Sequence, residues 1–293
     1  MATRLTVPFI RVPERLVPYL LSIPALGLLS VLAIALASLF AASMHENSGA
    51  LGTEHYRNII GDPIYRGYFL KSIRIASYAC AGSIIFGCPV AYYMEFTGKS
   101  FRRLILMFIV LLLFSDYVMR VYSLILIIGN NGVINRTLMW LGFVQKPVHF
   151  MYSELGVVIG LILGNGPFMI LSVSSILGRI DPHLGQAASL LGAGKWAVFF
   201  RILLPLSAPG IVSGSVIVLL LSLNAYLTPE LLGGGFVRMI ANFVYDEAIS
   251  SWNLPLASAA AAILLVISCA IVLTINRFTD RLGRRIGIIP VKR

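Results

Sequence analysis

The chain has 293 residues, of which 58% are hydrophobic and only 12% are charged. A soluble domain has about 25% charged residues, so the composition excludes an ordinary soluble domain and favours a protein that crosses a membrane several times. The net charge of +11 would suggest a nucleic-acid partner for a soluble protein. In a membrane protein, basic residues at the ends of the spans account for this net charge without a nucleic-acid partner.

Six segments are apolar over the roughly 20 residues that a helix needs to cross a bilayer. They predict an all-α integral membrane fold of six transmembrane helices, at residues 17–42, 75–94, 104–129, 155–177, 207–228 and 255–276. The first segment is much longer than a signal-peptide core of about 7–15 residues, so we expect it to be retained. Residues 1–16 then form a short N-terminal segment, residues 17–276 the membrane domain and residues 277–293 a basic tail.

The basic residues predict the orientation of these spans. If the N-terminus lies in the cytoplasm, the segments on that side hold fifteen of the 23 Lys and Arg residues and four of the 12 acidic residues, and so carry the whole net charge. Cytoplasmic segments are enriched in Lys and Arg. We therefore expect both termini and the loop at residues 178–206 to be cytoplasmic.

Two charged residues interrupt the third predicted span. Asp116 and Arg120 are four residues apart, so they can pair on one helix face. Asp116 would lie roughly 18 Å into a hydrocarbon core about 30 Å thick, where an unpaired charge costs at least about 2.5 kcal/mol. Asp116 and Arg120, with the adjacent Tyr117, line a translocation path, or the two charges only neutralise each other against a partner helix.

The fourth span is interrupted by the sequence Gly164-Asn165-Gly166-Pro167. Proline removes a helical hydrogen bond and frees a carbonyl, which is tolerated in a membrane only beside protein or water. We favour a simple kink, with Asn165 as a candidate group on a pore.

Glycine and proline punctuate the loop between the fourth and fifth spans. Asp181 and Pro182 are typical of a helix start, and a short helix is predicted over residues 183–191, ended by Gly192 and Gly194. A second helix is predicted over residues 195–204. Its apolar side comprises Trp196, Phe199, Phe200 and Leu203. Pro205 and Pro209 are expected to bend the chain back to the membrane.

This loop resembles the EAA loop of permease subunits from ABC importers. The matching residues are Gln186-Ala187-Ala188, Gly192, Ile202 and Leu204-Pro205. The resemblance implies a coupling helix that docks onto a cytoplasmic ATPase through Gln186, Ala187, Ala188, Leu191, Gly192 and Ala193. Gln186 stands where the family has an acidic residue, so an ion pair there is not expected. The alternative is an amphipathic loop that only lies on the membrane surface.

Polar and aromatic residues follow the fifth span, whose Gly210 and Gly214 indicate close helix packing. These residues are Asn224, Tyr226, Thr228 and Glu230. A carboxylate and a tyrosine face suit an amine or another small polar solute, although for Glu230 alone a solvated helix end is the better interpretation.

A second resemblance is to permeases of the spermidine/putrescine type. It rests on Tyr226-Leu227-Thr228-Pro229-Glu230-Leu231-Leu232-Gly233-Gly234, and on residues 117–122, 132–135 and 166–171. It implies a type I importer in a bacterial inner membrane, with a second permease subunit, two ATPase copies and an extracytoplasmic binding protein. The implied cargo is a polyamine or similar organic cation. Another small organic solute, such as an amino acid or a phosphonate, and an ion-coupled carrier that works alone remain alternatives.

The chain lacks a G-x-x-x-x-G-K-[ST] motif, because Gly194-Lys195 is followed by Trp196. We therefore expect no enzyme activity and no cofactor in this chain, with ATP and magnesium on a partner ATPase. The three cysteines, Cys80, Cys88 and Cys269, lie in apolar runs and are interpreted as small core residues rather than metal ligands.

Overall fold

The computed structural model describes residues 17–45, 52–181 and 183–286, with the side chains of a few of these left out. The described residues fold into helices and connecting turns, which confirms the predicted all-α fold. The helices are α1 (Val17–Ser43), α2 (Glu54–Gly61), α3 (Pro63–Phe96), α4 (Lys99–Phe114), α5 (Tyr117–Ile128), α6 (Val133–Trp140), α7 (Glu154–Leu177), α8 (His183–Leu190), α9 (Lys195–Val198), α10 (Leu204–Leu206), α11 (Ala208–Leu223), α12 (Leu227–Gly233), α13 (Ile240–Tyr245) and α14 (Leu254–Ile286). Two π-helical segments, Phe199–Leu203 and Asp246–Ser250, complete them.

The described residues contain five helical segments that are long and apolar enough to cross a membrane, and a sixth if a bent pair counts as one span. The five are Ser22–Ser43, Pro63–Phe96, Tyr117–Trp140, Glu154–Leu177 and Leu254–Arg277, and the bent pair is Trp196–Leu206 with Ala208–Leu223. The two parts of the pair meet at 65°. Ser207 separates them, with Pro205 and Pro209 on either side, so the predicted bend is confirmed.

The third predicted span, residues 104–129, was wrong as a single helix. α4 ends at Phe114, and α5 begins at Tyr117 after an extended Ser115. The reason is that the Asp116 side chain caps the N-terminus of a new helix, α5, instead of lying inside one continuous helix. The apolar stretch that could cross a membrane here is Tyr117–Trp140.

Helix α3 lies at the centre of the bundle and packs against α7 and α11. It contributes buried side chains to each of three apolar clusters: Phe69 and Ala76 pack towards α13 and α14, Ile75 and Ala79 towards α5 and α7, and Cys80, Cys88 and Ala91 towards α7 and α11. A displacement of α3 would therefore disturb the whole interior. Cys80 and Cys88 are buried as predicted, but Cys269 is exposed on α14, so its prediction as a core residue was wrong.

Gly210 and Gly214 let α11 approach α7 closely, as predicted. A methyl group on Gly210 would lie 2.8 Å from the carbonyl oxygen of Ser172, and one on Gly214 would lie 2.7 Å from the sulfur of Met169. Both distances are shorter than van der Waals contact, so a side chain at either position would force its neighbours to move.

Candidate functional site

The chain between α7 and α11 forms a compact knob, residues 183–206. At its entrance, the Asp181 carboxylate accepts a hydrogen bond from the backbone N–H of His183 at 2.9 Å, which is the geometry of an N-terminal cap. Pro182, the other half of that prediction, lies outside the described residues, as do the side chains of Gln186 and Lys195. The backbone of Gln186 lies in α8.

Gly192 ends the first helix of the knob, as predicted. Its φ of +87° is in the left-handed region, where a side chain is strained. The N–H of Ala193 donates to the carbonyl of Ala188 at 3.0 Å, and that of Leu191 donates to Ala187 at 3.2 Å, as at helix ends capped by glycine. Gly194 does not end this helix. Its carbonyl accepts from the N–H of Val198 at 3.0 Å and so begins α9.

The tip of the knob exposes large apolar side chains. Leu190 is 90% exposed and Leu191 is 89% exposed, while Ala187 and Gly192 beside them are exposed and small. Ala188 and Ala193 are partly buried. Contiguous exposed apolar surface marks an interaction site. All the predicted coupling residues thus lie within one short segment.

The second half of the knob divides its predicted apolar side between two environments. Leu203 is buried and Phe199 is partly buried, but Trp196 and Phe200 are exposed and stack on each other at 5.9 Å. The prediction of one shared apolar side was wrong, because Trp196 and Phe200 lie on the exposed side of this segment and Phe199 and Leu203 lie on its inner side.

Asp116 and Arg120 do not form the predicted ion pair in the described structure. One Asp116 carboxylate oxygen accepts from the N–H groups of Val118 at 2.9 Å and Met119 at 3.1 Å, so the side chain caps α5. Arg120 instead donates to the carbonyl of Ser115 at 2.9 Å and to that of Gly164, on α7, at 3.4 Å. Its charge therefore meets carbonyls rather than this carboxylate.

Tyr117 and Thr228 join two of the predicted path segments. Their hydroxyls are 2.6 Å apart, and Thr228 is buried. The methyl of Thr228 and the side chain of Leu232 fill the space beside Gly160 of α7. The guanidinium carbon of Arg120 lies 5.7 Å from the centre of the Tyr117 ring, within cation–π range. Tyr117, Arg120 and Thr228 therefore meet where α5, α7 and α12 cross.

Two glycines of the Leu-Leu-Gly-Gly sequence have distinct structural roles. Gly234 has a φ of +53° and ends α12, and the ring of Tyr152 occupies the place that a side chain would need. A methyl group on Gly233 would lie 2.9 Å from Val237. The backbone N–H of Tyr152 also donates to the carbonyl of Leu232 at 2.7 Å, so this sequence holds α12 to the start of α7.

Asn165 connects α7 to α11. Its side-chain amide is buried and donates to the hydroxyl of Ser222 at 3.0 Å. Helix α7 is continuous through Pro167, so the interruption expected at residues 164–167 does not break the helix. In this conformation the Asn165 amide is used in helix packing, and its predicted place on a pore would require α7 and α11 to separate.

At the opposite end of α11 from the knob lies a polar mouth, formed by Asn224, Tyr226, Glu230, Asn242 and Tyr245. The Tyr226 and Tyr245 rings stack at 4.3 Å. The Asn242 amide donates to the Glu230 carboxylate at 2.8 Å and to the Tyr226 carbonyl at 3.2 Å, while Asn224 donates to the carbonyl of Leu220 at 2.8 Å. Glu230 itself is exposed, so the mouth combines an accessible carboxylate with aromatic faces.

Sequence reasoning missed Asn242 and Tyr245, which come from α13. The nearby Asp246 pairs with Arg238 at 3.1 Å, and burial, followed by the charge of Asp246, raises the pKa of the Glu247 carboxyl. The hydrophobicity of residues 240–245 gave no sign that two polar side chains there would reach residues 226 and 230.

Among the described residues, no group of three or more His, Cys, Asp or Glu side chains could hold a metal ion.

The buried Asn135 gives a structural role to residues 132–135, another segment that resembles the permease family. Its amide donates to the carbonyls of Gly129 at 2.9 Å and Val148 at 3.0 Å and accepts from the Val148 N–H at 2.8 Å, which fixes the loop between α5 and α7.

Residues 83–287 match the family described as binding-protein-dependent transport system inner membrane component. The chain belongs to this family. It is 31% identical over 235 residues to the spermidine/putrescine transport system permease protein PotB of Haemophilus influenzae, covering 80% of this chain and 82% of that protein. It is 28% identical to the putative 2-aminoethylphosphonate transport system permease protein PhnU of Salmonella choleraesuis, covering 81% and 84%.

The fold is similar to that of a bacterial alginate ABC transporter solved in complex with an alginate pentasaccharide-bound periplasmic protein. The TM-score is 0.73 at 20% identity, over 92% of this chain and 95% of that chain. The predicted type I ABC importer permease fold is thereby confirmed. The protein is a multi-pass inner-membrane permease subunit of a binding-protein-dependent importer. Its relatives are permease subunits rather than enzymes.

Proposed function

We propose that this permease works in an ATP-driven importer and that its knob docks in a groove of a cytoplasmic ATPase. The observation that carries the proposal is the exposure of Leu190 and Leu191 at a glycine-capped tip between two membrane helices. Two exposed leucines gain about 1.5–3 kcal/mol each when a partner buries them fully. ATP and magnesium would be held by that ATPase, and not by this chain.

The proposed assembly contains this chain, a second permease subunit, two ATPase copies and an extracytoplasmic binding protein. The excess of Lys and Arg in the segments on the knob side supports a cytoplasmic location for the knob and for both termini. ATP-driven closure of the ATPase pair would pull on the knobs and rock the bundles between inward-open and outward-open states. The polar mouth would then lie on the side of the binding protein.

We propose a polyamine or similar small organic cation as the cargo. The exposed Glu230 and the Tyr226–Tyr245 pair offer a carboxylate and aromatic faces to an ammonium group. The spermidine/putrescine name of the Haemophilus influenzae relative agrees with this chemistry.

A second candidate cargo is a small organic anion or zwitterion such as 2-aminoethylphosphonate. It is favoured by Arg120, whose described hydrogen bonds go to the carbonyls of Ser115 and Gly164. Carbonyls do not neutralise the positive charge of the guanidinium, so this charge is available to a phosphonate. The name of the Salmonella choleraesuis relative points the same way.

The docking proposal is tested with Leu191→Ser in the complete importer. We expect the variant to insert in the membrane but to lose co-purifying ATPase and cargo-stimulated ATP hydrolysis. Leu141→Ser is a matched control, because Leu141 is also exposed but lies in the connection between α5 and α7. Equal ATPase retention in the two variants would contradict the proposal.

The cargo is tested by calorimetric titration of the cognate binding protein with spermidine, putrescine, 2-aminoethylphosphonate and single amino acids. Binding of a diamine or triamine alone supports the cation. Binding of the phosphonate alone supports the second candidate. ATP-independent, ion-driven uptake by this chain alone would contradict the importer mechanism.

A further inference from the structure

The end of α3 next to the knob carries a buried carboxylate. The Glu95 side chain is only 7% exposed. One of its oxygens accepts hydrogen bonds from the hydroxyl of Ser174, on α7, and from Nε of Arg102, on α4, at 3.1 Å. A buried charge is costly unless it is paired and hydrogen-bonded. These contacts therefore fix the end of α7 relative to α3.

The chain that leads into the knob passes close to the same carboxylate. Gly178 directly follows α7, and a methyl group on it would lie 3.4 Å from the second carboxylate oxygen of Glu95. A methyl group there would make ordinary van der Waals contact with this oxygen, so the backbone passes close to Glu95. The entrance to the knob thus rests against α3.

The segment that leaves the knob also rests against α3. Tyr92, about one helical turn before Glu95, packs edge-on against Phe199, with ring centres 5.0 Å apart and planes at 81°. Phe199 packs on Phe200 at 4.9 Å, and Phe200 stacks on the exposed Trp196 at 5.9 Å. A continuous series of rings therefore runs from the surface of the knob to α3.

We propose that Tyr92 and Glu95 are positioning residues that transmit movement of the knob to α3, a proposal that rests on the docking of an ATPase at the knob. Glu95 holds the entrance of the knob and Tyr92 holds its exit, so the knob moves α3 together with α7 and α11. Because α3 contributes to all three apolar clusters, this contact spreads the movement through the bundle.

The test uses the complete importer in proteoliposomes and measures cargo transported per ATP hydrolysed. Tyr92→Leu should lower this ratio about two- to tenfold, the equivalent of one aromatic pair. Glu95→Gln should lower it about ten- to a hundredfold, the equivalent of a charged hydrogen bond. ATPase co-purification and basal ATP hydrolysis should stay unchanged. Tyr92→Phe, which keeps the ring, should keep the wild-type ratio.

Two control variants change similar groups away from the knob. Tyr93→Leu removes an exposed ring that packs on Phe101 of α4. Glu154→Gln removes a carboxylate that pairs with Arg74 at 2.6 Å and also joins α3 to α7, but at the far end of α7 from the knob. We expect both controls to transport as much cargo per ATP as the wild type.

A wild-type transport ratio in both Tyr92→Leu and Glu95→Gln, with the ATPase bound, would overturn this inference and leave the docking proposal intact. If either variant fails to assemble, Ser174→Ala takes its place in the same measurement, because it removes only the hydroxyl that donates a hydrogen bond to Glu95. A wild-type chain that retains no ATPase would instead overturn the proposed function.

Discussion

The hydroxyls of Tyr117 and Thr228 lie 2.6 Å apart and join α5 to α12. Because Thr228 is buried, Tyr117→Phe leaves its hydroxyl without this partner, at a cost of about 1–3 kcal/mol in unfolding free energy. A double-mutant cycle with Thr228→Val, measured by thermal unfolding in detergent, should show coupling between the two sites. Tyr122→Phe, at an exposed ring, should have little effect. Strict additivity of the two changes would show that the bond does not stabilise the fold.

Gly210→Ala should destabilise the bundle. The added methyl would lie 2.8 Å from the Ser172 carbonyl, and overpacking of this kind costs about 1–3 kcal/mol. The measurement is the midpoint of thermal unfolding, with Gly67→Ala as control, because nothing lies within 4 Å of a methyl group at Gly67 in α3. The control should be neutral or slightly stabilising, and an equal loss in both variants would contradict the packing argument.

Gly192→Ala should impair coupling while Gly194→Ala should not. Neither added methyl would meet another atom within 4 Å, but only Gly192 has a positive φ, at +87°. The left-handed conformation costs a residue with a side chain about 1–2 kcal/mol, so the end of α8 should fray and cargo-stimulated ATP hydrolysis should fall. A larger loss of ATP hydrolysis in the Gly194 variant would show that the helix cap is not what matters.

Variants of Asp116 distinguish its role as the N-cap of α5 from a role of its charge in transport. Asp116→Asn keeps a good N-cap, whereas Asp116→Ala removes it at a cost of about 0.5–2 kcal/mol. If capping is the role of Asp116, only the alanine variant loses stability, and the asparagine variant transports cargo normally. Lost transport with normal stability in Asp116→Asn would instead assign the carboxylate charge to the translocation path.

The long apolar segments without an internal charge were predictable from the sequence. The span expected at residues 155–177 is α7, Glu154–Leu177, and the one expected from residue 255 is α14, which begins at Leu254. Continuous apolar length is enough to define such helices. The start of α5 was missed because an apolar window treats Asp116 as a charge inside a span, although serine and aspartate together are also typical of a helix start.

The candidate sites were predictable to the extent that they are local in sequence. The knob depends on glycine and proline within one short loop, so its helices and bend were foreseen. The partners of Asn165 and Glu230 were not, because Ser222 lies 57 residues away and Asn242 lies 12 residues away in another helix. Such contacts follow from how the helices pack, and no periodicity in one segment encodes them.

The exposed leucines at the tip of the knob also bear on how the subunits are produced. A permease copy that is not bound to an ATPase exposes Leu190 and Leu191 to water. Exposed apolar surface of this kind favours self-association and capture by quality-control proteases. Surplus permease should therefore be short-lived, and we expect its abundance in the cell to follow that of its ATPase.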